Sequence, residues 1–333
     1  MSDRIVFRAR EAPCGLVDGS GSVRVPPMSI GVGSESPRAP VPGLACSSWA
    51  RAHGIDPIGS TGCYQGYLLV EWPLPWPRDM SEDPDLAWLV QSTRDAGIRF
   101  QALVPASVDG LRRVVCYRWP TDGAAFERAE LAVEPAEVIT AAMAVLEEPP
   151  AGEGIVDVLV CTHGRRDRCC GSLGMALASE ISAGPLGGQG VRTWRTSHTG
   201  GHRFAPTAVV LPEGTAWAFC DKELLSRVVG RLGPIGEVLP HYRGCAGMAS
   251  PEVQALEGAV LAEMGWPLLN RARGGGDLGG GRFELRVEEP AGAPSVWDAS
   301  VHAETVPMPE CGQPVELATR TELQFVVEGL RRR

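Results

Sequence analysis

The chain has 333 residues, 44% of them hydrophobic and 21% charged, with a formal net charge of −9 and a pI near 5.3. That length suggests roughly two globular domains, and the acidic balance excludes the electrostatic footprint of a protein that grips phosphate backbones, so nucleic acid is not an expected partner. No stretch approaches the eighteen or so apolar residues of a membrane span, and the first residues lack a signal-peptide core, which makes the cytoplasm the expected location.

In a reducing compartment the ten cysteines read as thiols, core residues or metal ligands, and not as a disulfide framework. Residues 1–43 are rich in Gly, Ser and Pro and show no helix or strand period, as expected of a disordered tail. From 44 to 150 the pattern is that of an α/β region: apolar runs GYLLVEW (66–72) and RRVVCYRW (112–119), then a helix from Pro135 to Leu146.

Residues 151–235 are the most legible. A continuous apolar strand, IVDVLV (155–160), fits burial on both faces. A cysteine-rich loop follows, then a helix over about 172–182 with Leu173, Leu177 and Ile181 on one face. A strand VRTW (191–194) comes next, then strands TAVVL (207–211) and TAWAF (215–219) split by a Pro-Glu-Gly turn. Asp221 can cap a further helix whose apolar face is Leu225, Val228, Val229 and Leu232, with Gly233 as its stop. Strand-helix-strand followed by strand-strand-helix, joined by a right-handed crossover, gives a compact thioredoxin-like layer. The C-terminal extension, 236–333, shows a helix over 251–264, a Gly-rich stretch RGGGDLGGG that reads as a flexible connector, and strand-like pieces at FELRV and LQFVV.

Two segments carry the residue types of a metal site: CTHGRRDRCCG (161–171) and HTGGH (198–202). Cys161 ends the buried strand. Cys170 falls at a helix start, where backbone N–H groups favour a thiolate. His198 and His202 are separated by a stretch containing two glycines, which lets the backbone bend tightly and bring both imidazoles to one centre. Two thiolates and two imidazoles match the Cys2His2 donor set of a Rieske-type cluster or of zinc. His163 and His241 read either as loop residues or as supporting donors. Arg165, Arg166 and Arg168 make a local positive spot that suits an acidic redox partner, or else pair with Asp167.

The pattern CTHGRRDRCCG, the segment HTGGHRFAPTAVVLPEG and the later HYRGCAG resemble the sucrase/ferredoxin-like family of thioredoxin-like ferredoxins, over about Cys46 to Met248. The resemblance implies a 2Fe-2S cluster on Cys161, Cys170, His198 and His202, and an electron carrier more than a stand-alone enzyme. Two neutral imidazoles in place of thiolates raise the potential into the Rieske range, about −150 to +300 mV. The free imidazole nitrogens then couple the electron to a proton, so the potential falls as pH rises. Cys169 departs from the pattern, being a vicinal thiol able to compete for iron, and GSTGCYQ departs as well, leaving the role of Cys63 open. A structural zinc site is the rival from another class. A thiol-disulfide oxidoreductase is disfavoured by the absence of a C-x-x-C pair. RGGGDLGGG lacks the Lys-Ser/Thr of a phosphate loop.

Overall fold

The computed structural model describes residues 45–106, 109–120, 123–147, 154–187, 190–311 and 315–333; the tail expected over 1–43 lies outside them. After a short helix α1 (Cys46–Ala52), the chain runs twice through one pattern. In the first pass β1 (Gly66–Glu71) leads through α2 (Ala87–Asp95) to β2 (Ile98–Leu103). The hairpin β3 (Arg112–Arg118) and β4 (Glu127–Val133) follows, then α3 (Val138–Glu147). In the second pass β5 (Val156–Cys161) leads through α4 (Met175–Ala183) to β6 (Val191–Thr196). The hairpin β7 (Ala208–Leu211) and β8 (Thr215–Trp217) and helix α5 (Lys222–Gly230) complete it.

Each pass has its first two strands parallel and its third antiparallel to the first. The strand orders β4-β3-β1-β2 and β8-β7-β5-β6 are therefore the same, and the α/β reading holds for both. With β9 (Tyr242–Cys245) added beside β8, the two halves make one nine-stranded sheet that runs through the expected 44–150 and 151–235 regions.

The halves join tip to tip. Leu103 and Thr196, the last residues of β2 and β6, are the one registered pair between them. Glu71 pairs with Leu103 and Cys161 with Thr196, so the C-terminal ends of β1, β2, β6 and β5 stand in a row. That row is where the cysteine and histidine loops leave the sheet.

Alternation along the strands explains the layers. Leu68, Val70, Val114 and Cys116 face the α2 and α3 side, while Val158, Val160, Ala208 and Val210 face the α4 and α5 side. The intervening residues Tyr67, Leu69, Val115, Tyr117, Leu159 and Val209 pack into a third cluster between the half-sheets. Strands covered on both faces must be continuously apolar. Asp157 interrupts the run, fully buried: it accepts from Tyr117 Oη at 2.5 Å, Trp194 Nε1 at 2.7 Å and Arg192 Nε at 2.8 Å. Burial by itself raises its pKa, but the Arg192 guanidinium and the other donors bring it below the ordinary carboxylate value.

Past β9, helix α6 (Pro251–Met264) is capped by Ser250 and packs under a four-stranded antiparallel sheet. That sheet comprises β10 (Arg273–Gly279), β11 (Arg282–Val287), β12 (Ser295–Met308) and β13 (Arg320–Arg332).

Three local expectations need correction. Most of RGGGDLGGG is strand β10, because a ladder with β11 needs only backbone groups, and at Gly275 a Cβ would strike the Glu284 carbonyl. Leu232 is not on the apolar face of α5: the helix ends at Gly230, Arg231 turns left-handed at φ 50°, and Leu232 is 56% exposed. The cysteine helix begins before 172, through a π-type turn over Cys170–Gly174 that runs straight into α4.

Candidate metal centre

Cys161 and Cys170 are both fully buried, one at the end of β5 and the other in the π-type turn before α4. Glycines make their approach feasible. A Cβ on Gly174 would collide with the Cys161 carbonyl, and one on Gly171 with the backbone of Gly164. Asp167 starts the turn by accepting from Cys169 N at 2.9 Å. A single turn of π geometry inside a helix is frequent at functional sites, since it re-aims side chains without ending the helix.

The histidine loop leaves β6 after Thr196. Gly200 and Gly201 have φ of 89° and 68°, the left-handed conformation that the glycine pair in HTGGH is suited to. His198 Nδ1 lies 3.9 Å from Cys161 Sγ and 3.9 Å from Cys170 Sγ. The donor atoms of these three residues all lie within 4.8 Å of one another. His202 is outside that group: its ring centroid is 6.1 Å from that of His198, and its Nδ1 is 3.5 Å from Asp167 Oδ2.

The electrostatics suit ligation. The S–H of Cys170 and the nearby His198 hold Cys161 well below the usual thiol value, while Cys170 is pushed up by donating to Cys161 and by burial. The pair thus shares a proton between its sulfurs with Cys161 the more acidic, and a cation bound there would displace protons from both. Burial, with Arg203 beside it, lowers His202 to about 4, so its imidazole is neutral and able to donate a lone pair at neutral pH.

Several groups that hold these side chains come from distant segments. The His198 carbonyl accepts from Arg99 Nη2 at 2.6 Å and from Gln101 Nε2 at 3.2 Å, both on β2 of the first half. Arg243 is fully buried on β9. Its Nε donates to Ser60 Oγ at 3.0 Å, its Nη2 to Ser60 O at 2.7 Å and its Nη1 to Gly200 O at 3.4 Å. A Cβ on Gly201 would strike that guanidinium. The arginine of HYRGCAG is thus the prop of the HTGGH loop, a role that its place in the motif left unread.

The remaining candidates fall around this centre. His163 Nε2 meets Pro77 O at 2.8 Å and its ring stands edge-on to Trp76, tying the cysteine loop to the loop after β1. His241 Nδ1 meets Ala218 O at 3.0 Å. Arg166 pairs with Asp79 at 3.4 Å and not with Asp167, while Arg165 and Arg168 are exposed. Cys63 accepts from Gln254 Nε2 at 3.6 Å. Cys169 does not face Cys161: its sulfur meets Cys46 and Cys311.

A family model described as sucrase/ferredoxin-like matches residues 57–244, more than half of the chain. The chain belongs to the sucrase/ferredoxin-like family. The match spans both halves of the large sheet as far as Arg243 and Gly244, and it leaves α6 and the four-stranded sheet outside. No curated protein and no solved structure matches this family member. Among the described residues no helix is long and apolar enough to cross a membrane.

Proposed function

We propose that Cys161, Cys170, His198 and His202 hold a 2Fe-2S cluster, and that this thioredoxin-like, ferredoxin-type protein passes single electrons to and from a redox protein partner in the cytoplasm. The observation that carries the reading is the convergence of Cys161, Cys170 and the His198 Nδ1 atom within 4.8 Å, at the meeting point of four strand ends. The donor chemistry fits the group: two sulfurs shielded from solvent and two imidazoles, with no carboxylate among the donors.

The chain's own residues divide the work. Asp167 Oδ2 stands 3.5 Å from His202 Nδ1 and is the acidic group placed to orient that ring. Arg99, Gln101 and Arg243 hold the His198–Gly201 backbone from two sides. Arg165 and Arg168 put exposed positive charge beside the cysteines of an otherwise acidic chain, which suits an acidic partner surface. When bound, the cluster supplies one-electron transfer, and imidazole ligation makes that step pH-dependent.

A single zinc ion is the second reading, favoured by one feature: His198 Nδ1 is as close to both sulfurs as donors in one coordination shell. Anaerobic purification separates the two. The cluster reading expects visible absorption, an EPR signal after reduction, and spectra altered in both His198→Cys and His202→Cys. A colourless protein with stoichiometric zinc, or a spectrum unchanged in both variants, would overturn it.

A further inference from the structure

A second group of sulfurs stands beside the first. Cys46 opens α1, Cys169 precedes Cys170, and Cys311 lies in the turn after β12. Their Sγ atoms form a small triangle: 3.1 Å from Cys169 to Cys311, 3.3 Å from Cys311 to Cys46, and 3.6 Å from Cys46 to Cys169. Cys46 and Cys169 are buried and Cys311 is half-buried. Every side exceeds the ~2.05 Å of a disulfide, and a disulfide would leave a third thiol over. We propose that Cys46, Cys169 and Cys311 form a mononuclear three-thiolate site for a soft d10 cation, zinc or copper(I).

Donor type, size and surroundings agree. Three sulfurs with no oxygen donor select a soft ion over magnesium, calcium or manganese. The triangle's centre is about 1.9 Å from each sulfur, so an ion with bonds of ~2.3 Å sits roughly 1.2 Å above the plane, at the apex of a pyramid, and keeps one position open. Three sulfurs this close share one atom, whereas each iron of a 2Fe-2S cluster takes only two protein ligands. No imidazole or carboxylate joins the group among the described residues. Its apolar neighbours are Ala45, Leu173 and Ala205, while the hydroxyl and amide of Ser47 face Cys169 and favour negative charge there, so the wall is dry and its few polar groups suit bound thiolates. The Cys46 amide points at Cys311 Sγ from 3.5 Å and favours negative charge there.

Such an ion would join three elements that are far apart in sequence: α1, the cysteine helix and the β12–β13 connection. It also accounts for the vicinal pair. Cys169 and Cys170 face different sulfur groups, so Cys169 belongs to the three-thiolate site and leaves Cys170 to the first centre.

The test uses full-length protein in the Cys161→Ser background, which disables the first centre. The apo form is titrated under reductant with zinc, with cobalt(II) as its spectroscopic stand-in, and separately with copper(I) against a competing chelator. One equivalent of zinc or copper(I) is expected, with thiolate-to-cobalt charge-transfer absorption. Adding Cys46→Ser or Cys311→Ser should weaken binding by more than the ~10- to 100-fold that a lost supporting contact costs. The two serines lie on different elements, and Cys311 is half-exposed in a turn, so unchanged circular dichroism in either one excludes misfolding as the cause. Equal affinity with and without Cys311 for both ions overturns the site. So does a disulfide among these cysteines that persists in anaerobically purified protein. Iron and colour report on the first centre and zinc or copper in this background on the second, so either proposal can fail alone.

Discussion

Replacing Arg243 tests whether the histidine loop is held from behind. The guanidinium is fully buried, and burial lowers its pKa to about 10, so the fold keeps this charge at a cost that its partners must outweigh. Two of its hydrogen bonds are short, 3.0 and 2.7 Å to Ser60, and the third reaches Gly200 at 3.4 Å. Charge-assisted bonds are worth about 1.5–3 kcal/mol each, and relief from burying the charge returns part of that. Arg243→Ala should therefore lose about 2–4 kcal/mol, within the range of large single-site effects. With urea m-values of about 1–3 kcal/mol per M, the midpoint should fall by ~1 M or more. Arg243→Lys should recover little, since one ammonium cannot span Ser60 and Gly200 together. Metal loading gives the second readout: the Gly200–Gly201 bend loses its prop, and affinity at the first centre should drop ~10- to 100-fold, as for other contacts that orient ligands. If Arg243→Ala unfolds at the wild-type midpoint, or loads metal normally at limiting concentration, the prop argument is wrong.

Other perturbations probe neighbouring steps. Gly174→Ala forces a methyl group onto the Cys161 carbonyl; it should cost about 2–4 kcal/mol in denaturant unfolding and displace Cys161, so metal content should fall with stability. Asp157 has a folded-state pKa below the ordinary value of 3.8. Its contribution is therefore complete above about pH 4 and lost as pH falls through the lower folded value, because there the unfolded chain binds the proton first. Asp157→Asn should flatten the acid limb of a stability–pH curve, and an unchanged limb would count against the assignment. Glu257 and Arg273 pair at 2.7 Å with both side chains fully buried. Glu257→Gln strands the arginine and should cost about 3–5 kcal/mol, read by thermal or denaturant unfolding.

Much of this fold was legible because strands buried on both faces and helices with one apolar stripe leave clear periods. IVDVLV, the Asp221 cap and the 251–264 helix all appear within a residue or two of where their patterns put them. What stayed hidden was non-local. The first half repeats the topology of the second, but hydrophobic pattern records burial and not strand order, so β1–β4 looked like an α/β region of unclear topology. Strand β10 was missed because a glycine run carries no side-chain signal. At the site, HTGGH announced its bend through its glycines, and C-x8-C announced the thiols. Arg99, Gln101 and Arg243 act through the backbone of the histidine loop from up to 99 residues away, and Cys46 meets Cys311 across 265 residues. No local spacing encodes such meetings.

The repeated topology explains why one half carries the candidate ligands and the other braces their loops. β1 and β5 are both six-residue first strands, and their last residues, Glu71 and Cys161, hold equivalent positions. Glu71 is fully buried and accepts from Ala106 N at 2.8 Å and Arg113 N at 2.6 Å, so both of its carboxyl oxygens are taken by backbone donors of its own half. Cys161 has the sulfur of Cys170 and the ring of His198 before it. Because the halves meet at their strand tips, the loop after β1 falls across the cysteine loop: Pro77 O takes the His163 ring and Asp79 takes Arg166. β2 meanwhile holds the His198 carbonyl through Arg99 and Gln101. A lone second half would expose that carbonyl and the cysteine loop to water. The pairing of the half that carries the candidate ligands with a half that braces their loops gathers buried sulfurs and imidazoles at one edge of the sheet.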